Sequence, residues 1–197
     1  MKRIIGVTGG IASGKSNVCN IISKEGYPVI DCDKITAELS IKGGPLYNVI
    51  IEKFGNDFLL DDEELDRKKL AKQIFNNPES KKVLDSVTHP IIKDEVVRQI
   101  DLIDDGLVFV EAPLLYESKF NDMCDKVICV FLKKKLQVLR LMEREGIDED
   151  YALAKIHSQM DLYLKKEMAD YVIDSSGTFD ETKLLVLNVI NDIKGVL

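Results

Sequence analysis

Ile4-Ile5-Gly6-Val7-Thr8-Gly9-Gly10-Ile11-Ala12-Ser13-Gly14-Lys15-Ser16 is the stretch on which the reading of this chain turns. Ile4 to Val7 is a short apolar run rich in β-branched residues, the pattern of a buried strand. It halts at Gly9-Gly10, and Gly9-x-x-x-x-Gly14-Lys15-Ser16 then completes a phosphate-loop pattern that opens onto a helical stretch, Asn17 to Glu25. Each residue type has a mechanical reason. A loop bare of side chains at its tight points turns backbone N–H groups inward onto phosphate oxygens. That makes Gly10, Ile11, Ala12, Ser13, Gly14, Lys15, Ser16 and Asn17 the candidate nucleotide-binding residues. The helix starting near Lys15 adds the positive end of its dipole. Lys15 brings a point charge for the β- and γ-phosphates, and the Ser16 hydroxyl is a hard oxygen ligand for Mg2+. The bland alternative is a Gly-rich turn that binds nothing, and it leaves the Lys-Ser pair unexplained.

A chain of 197 residues accommodates one α/β domain with elaborations. Its net charge of −7 argues against a general nucleic-acid binder, which would carry a basic face. Cys19, Cys32, Cys124 and Cys129 form neither a CxxC pair nor a zinc spacing; three of them lie within apolar segments and read as small buried hydrophobes, in a reducing, cytoplasmic compartment. The N-terminus runs straight into the phosphate loop with no room for a signal peptide. No apolar run reaches membrane-spanning length.

After the first helix, Tyr27 to Asp33 reads as a second strand ending in carboxylates, with Asp31 and Asp33 sharing a face by the period of two. Open α/β sheets carry their chemistry at the carboxyl ends of strands, where an Asp can take a proton from a substrate hydroxyl or hold a Mg2+-bound water. Asp33 as the cap of a helix beginning at Lys34 is the plainer alternative. Residues 42 to 104 show no core strand. Helical spacing covers Pro45–Phe54, Leu65–Phe75, Ser80–Val87 and Ile91–Ile103, with His89-Pro90 between the last two. So much helix inserted between the second and third strands implies a substrate-holding module beside the nucleotide site.

Leu107 to Glu111 is a third strand ending in a carboxylate, and Glu111 is a candidate for holding Mg2+ through its water shell. Ala112 to Glu117 breaks the strand, and its leucines either pack on a substrate or close the core. Lys126 to Leu132 is a fourth strand. The basic helix Lys133–Glu145 places Arg140 and Arg144 on one face, and a further helix runs from Asp148 to Met160. Arg forks grip phosphate oxygens, so this pair of helices reads as a lid; the plainer reading is a solvated hairpin with Glu143 and Glu145 as ion-pair partners. Ala169 to Asp174 is the last strand. Thr178 to Glu181 is a capping box opening a final helix that ends near Lys194.

Taken in order, GGIASGKS, VIDCD, Leu65-Asp66-Arg67 with Leu70, His89-Pro90, Pro113-Leu114-Leu115 with Glu117, the Arg140 helix and ADYVID-x-x-Gly177 resemble the dephospho-CoA kinase family. The resemblance spans Ile5 to Gly177. It implies an α/β fold of the P-loop NTPase class, a three-layer α/β/α arrangement around a five-stranded parallel sheet. Within a single domain it implies a core (about 1–33, 105–132 and 168–197), a helical CoA-binding insertion (about 34–104) and a helical lid (about 133–167). It also implies ATP-dependent phosphorylation of the ribose 3′-hydroxyl of dephospho-CoA, the last step of CoA biosynthesis, with Mg2+ and with no obligate protein partner. Asp33 matches the general base, Lys15 and Ser16 the nucleotide and Mg2+ residues, and Arg140 the lid arginine. Arg67, His89 and Pro113-Leu114-Leu115 match the acceptor side. The departures are Ala12 for a usual Gly, Asn17 for Thr, Glu111 for Asp, Ala112 for a larger apolar residue, Lys155 for a second lid Arg, and Ser175 for Asn near the adenine.

Rival readings are another small-molecule or nucleoside monophosphate kinase and a nucleotide switch. The switch would need a guanine-reading Asn-Lys-x-Asp, which the sequence lacks.

Overall fold

The computed structural model describes residues 2–195, apart from the side chains at 75 and 76. In chain order, β1 (Lys2–Gly9) leads into α1 (Lys15–Lys24) and β2 (Val29–Asp31). Four helices follow: α2 (Cys32–Leu39), α3 (Pro45–Phe54), α4 (Arg67–Asn76) and α5 (Pro78–Asp101). Then come β3 (Gly106–Glu111), β4 (Lys126–Phe131), α6 (Lys134–Glu145), α7 (Glu149–His157), α8 (Leu162–Met168), β5 (Tyr171–Asp174) and α9 (Phe179–Gly195). The chain divides into two compact units, one running up to Ile30 and resuming at Asp104, the other Asp31–Ile103. Residues 1, 196 and 197, counted in the expected core, lie outside the described residues.

The first unit is built on a sheet of order β2-β3-β1-β4-β5. β1 pairs in parallel with β3 and with β4, and β4 pairs in parallel with β5. Parallel strands are covered on both faces, which is why these segments read as unbroken apolar runs. Ile5, Val7, Leu107, Phe109, Ile128 and Val130 point to one face and pack with Val18, Ile22, Val186 and Ile190 of α1 and α9. On the opposite face Cys129 and Phe131 pack with Leu162 of α8. The register sets Val7 beside both Glu111 and Ile128, so β3 delivers its terminal carboxylate next to the end of β1. Three of the cysteines are buried as expected, and burial pushes the Cys129 thiol up to about 11 and that of Cys124 to about 12. Neither is a thiolate nucleophile at neutral pH.

The second strand is shorter than expected. It ends at Asp31, and Cys32 and Asp33 already belong to α2. The strand period therefore does not relate Asp31 to Asp33. Asp31 is the residue that caps the helix, accepting from the Asp33 amide at 2.9 Å and the Lys34 amide at 3.0 Å. Capping is satisfied two residues earlier than the alternative for Asp33 assumed, and the Asp33 side chain stays exposed.

In the second unit α5 runs unbroken from Pro78 to Asp101 with Pro90 inside it, not as two helices meeting at His89-Pro90. A proline removes one helical hydrogen bond and crowds the preceding turn. Here the buried seam Thr88, Ile92, Val96 and Ile100, spaced by four, spans the proline and holds both halves in one helix. Leu46 and Ile50 of α3 and Ile35 of α2 are likewise buried in this unit. No helix among the described residues is long and apolar enough to cross a membrane.

α8 had no counterpart among the expected helices, whereas the capping box did form. The Thr178 amide donates to Glu181 Oε2 at 2.7 Å, and the Glu181 amide returns to Thr178 Oγ1 at 3.3 Å. Just before β5, Asp170 pins that edge strand: its carboxylate accepts from Lys126 Nζ at 2.7 Å and from the Val127 amide at 2.8 Å. Partial burial pushes the Asp170 carboxyl up, but Lys126 and the Val127 amide more than offset it and hold the group below its ordinary 3.8. A depressed carboxyl stabilises the folded state above its unfolded pKa, and that contribution drains away as pH falls through the folded value. Asp170→Ala is expected to lower unfolding free energy by about 1–3 kcal/mol at pH 7. In urea melts the gap between parent and variant should close below pH 3.8, and a gap independent of pH would reject this account.

Candidate active site

The phosphate loop lies between β1 and α1 and takes its shape from its backbone. Gly14 has φ 85°, the left-handed region that glycine enters without strain. Ala12 sits at φ 59°, which costs an alanine roughly 1 kcal/mol or more. Absence of side chains matters as well: a Cβ on Gly9 would come within 2.8 Å of the Val130 carbonyl, and one on Gly10 would collide with Gln137. The Ser13 hydroxyl is buried and has no hydrogen-bond partner among the described residues. Burying a polar atom that way is costly unless a ligand completes it.

Lys15 is buried at the head of α1, and its ammonium contacts Glu111 Oε1 at the end of β3. The Ser16 hydroxyl donates to the same oxygen at 3.1 Å. The structure thus brings Lys15, Ser16 and Glu111 into one cluster. Two hard oxygens so close together are a fitting partial donor set for Mg2+, which takes one or two protein oxygens and fills its remaining positions with water and phosphate. Asn17 is exposed on the first turn of α1.

Arg140 reaches the loop from α6. Its Nη2 donates to the Ser175 carbonyl at 2.9 Å, and the Ser175 hydroxyl donates to the Ser13 carbonyl at 2.5 Å. A Cβ on Gly14 would lie 3.8 Å from Arg140 Nη1, which sets the guanidinium over the loop. Arg144 instead pairs with its neighbour Glu145 at 2.7 Å, and Lys155 pairs with the same carboxylate, the arrangement that the solvated-hairpin reading assigned to Glu145. Leu115 is fully buried and would meet any Cβ on Gly6, so it closes the core and presents nothing to a substrate. Pro113 and Leu114 are half-buried, and the Pro113 carbonyl accepts from Thr8 Oγ1 at 3.3 Å and Lys165 Nζ at 2.6 Å.

Three candidates fall in the other unit. Asp33 is exposed on the first turn of α2, two residues past the end of β2. Arg67 donates to the Ala37 carbonyl at 3.0 Å, and His89 Nε2 lies 3.6 Å from Asp85 one turn back along α5.

Sequence reasoning missed Gln137 and noted Gln159 only as four residues from Lys155 on one helix. Gln137 Nε2 donates to the Ile11 carbonyl at 2.7 Å, and the Ile11 amide donates to Gln159 Oε1 at 3.1 Å, so both polar groups of that residue are held. Gln137 is buried beside Val138 on the apolar stripe of α6, and a polar residue on such a stripe was the available signal.

The family model for dephospho-CoA kinase matches residues 3–181. A dephospho-CoA kinase of Carboxydothermus hydrogenoformans is 40% identical over 194 residues, covering 97% of this chain and 94% of that one. One of Bacillus cereus is 44% identical over 186 residues, covering 93% of each. Among solved structures, a Thermus thermophilus protein superposes with a TM-score of 0.85 at 29% identity, covering 97% of both chains. A dephospho-CoA kinase from Campylobacter jejuni gives 0.71 at 32% identity, covering 100% of both. The shikimate kinase of Bacteroides thetaiotaomicron, at 0.55 and 12% identity over 98% of both chains, shares the P-loop kinase fold. On this evidence the chain belongs to the dephospho-CoA kinase family.

Proposed function

We propose that this chain transfers the γ-phosphoryl group of ATP to the ribose 3′-hydroxyl of dephospho-CoA. The observation that carries the reading is the convergence of Lys15, Ser16 and Glu111 at the glycine-rich loop 9–16, in a chain whose family model runs through residues 3–181.

The loop amides and Lys15 grip the triphosphate tail, and the positive end of α1 adds to the same field. As phosphate enters, Lys15 exchanges its contact with Glu111 for phosphate oxygens, leaving the carboxylate to a new partner. Ser16 and Glu111 would hold Mg2+, which when bound would neutralise phosphate charge. Arg140 stabilises charge on the transferring group from above the loop. Asp33 accepts the proton of the acceptor hydroxyl, from a position just past the carboxyl end of a sheet strand. Arg67 and His89 in the 31–103 unit, and Pro113 and Leu114 in the other, are the residues assigned to the acceptor. The α6–α8 segment is a lid that excludes water from the phosphates.

ADP release measured with dephospho-CoA, shikimate and nucleoside monophosphates as acceptors tests the reading. Turnover is expected with dephospho-CoA alone, and preference for another acceptor would replace it. Asp33→Asn is expected to lower kcat by roughly 100-fold or more with little change in ATP affinity, since a base acts on the chemical step and not on nucleotide binding. Full turnover in that variant removes Asp33 from the role. Glu111→Gln keeps the shape of the side chain but not its charge. It should cost about 100-fold in kcat and raise the Mg2+ concentration needed for half-maximal rate; an unchanged Mg2+ requirement would take Glu111 out of the metal site.

A further inference from the structure

Lys165, on α8, is completely buried. Its ammonium donates to the Pro113 carbonyl at 2.6 Å and pairs with Glu117 Oε1 at 2.9 Å. The same carboxylate oxygen accepts from the Met160 amide at 2.9 Å, while Glu117 Oε2 is buried with no hydrogen-bond partner among the described residues. Met160 follows Gln159, whose side chain holds the Ile11 amide. A continuous polar line therefore runs from the Pro113 segment through Lys165, Glu117 and the Gln159–Met160 peptide to the phosphate loop.

Stability does not explain this line. Burying a lysine and a half-satisfied carboxylate is costly, and apolar residues of similar volume would hold the same space as well or better. What a charged pair supplies is a fixed direction. With the Met160 amide fixed by Glu117, the planar Gln159–Met160 peptide has one orientation, and the Gln159 carboxamide has one point of departure. Ile11 next needs that restraint, because Ala12 beside it sits at φ 59°, a conformation that its own side chain disfavours. The loop shape is imposed from outside.

We propose that Lys165 and Glu117 are positioning residues for nucleotide binding, acting through Gln159 on the conformation of the phosphate loop. The proposal rests on reading Gly9 to Ser16 as the nucleotide cradle, so ATP binding by the unaltered protein is the first measurement. Its absence would overturn both.

The test is a cycle of ATP dissociation constants, measured by calorimetry with Mg2+, alongside thermal melts. The paired replacement Lys165→Met with Glu117→Leu removes both charges together and deletes the Met160 tether. Gln159→Ala removes only the last link. Each is expected to weaken ATP binding by about tenfold, and all three substitutions together should also weaken it by about tenfold, since links of one line do not add. A roughly hundredfold combined loss, or a paired replacement that binds ATP within about twofold of the parent, would overturn the proposal with ATP binding by the parent intact. If the paired replacement does not fold, Glu117→Gln takes its place. It weakens the hold on Lys165 while keeping the side-chain volume, and should raise the ATP dissociation constant about threefold; an unchanged constant would overturn the proposal equally.

Discussion

One ammonium group, held at the end of the sheet by a single carboxylate, is the constraint around which the first unit is arranged. Lys15 is buried, and a buried cation is tolerated only where a partner offsets its lost hydration. Glu111 can be that partner because β3 lies beside β1 in parallel with its last residue, Glu111, opposite Val7, two residues before β1 ends. Before nucleotide arrives, the lysine and the carboxylate satisfy each other, so the site can exist folded without its ligand.

That economy explains why this half of the site was legible in the sequence. Gly9 to Ser16 is contiguous, and every residue's task follows from its own type and position. Glu111 could be found because it ends an apolar run, and Arg140 because it recurs with Arg144 at helical spacing. The strands were equally visible, being apolar on both faces. Less legible was anything decided by burial at a distance. Pro90 looked like a helix boundary because its local chemistry is that of a boundary, and only the seam of Thr88, Ile92, Val96 and Ile100 overrules it. Asp31 and Asp33 looked like strand neighbours because nothing in Cys32 announces that the strand has already turned into helix. Arg140 and Arg144 share a face by spacing, yet only Arg140 reaches the loop, since Glu145 is there to take Arg144.

The residues whose contacts went unread have a common character. Gln137, Gln159 and Lys165 are polar or charged groups whose partners are main-chain atoms or a carboxylate far away in sequence. A pattern of residue types records which side chains prefer water, but not which carbonyl will meet them. Such groups can be found from sequence only as exceptions: a glutamine among the buried residues of α6, a lysine at the position of α8 that faces the core with Leu162. An exception of that kind marks a place where direction matters more than burial.

Direction is what the loop lacks on its own account. Backbone amides can cradle phosphate only if the peptide planes face inward, and a segment of glycine and small residues has many other conformations open to it. Two devices remove those alternatives. Arg140 and Ser175 hold the loop at Ser13 and Gly14, from α6 and from the turn after β5. The two glutamines hold it at Ile11. Both lead into the α6–α8 segment or the turn beside it, so anything that moves that segment also loosens or tightens the cradle. If the segment closes over bound nucleotide, closure and grip are one event, and the free energy of ordering the loop is offset by the same contacts that exclude water from the phosphates.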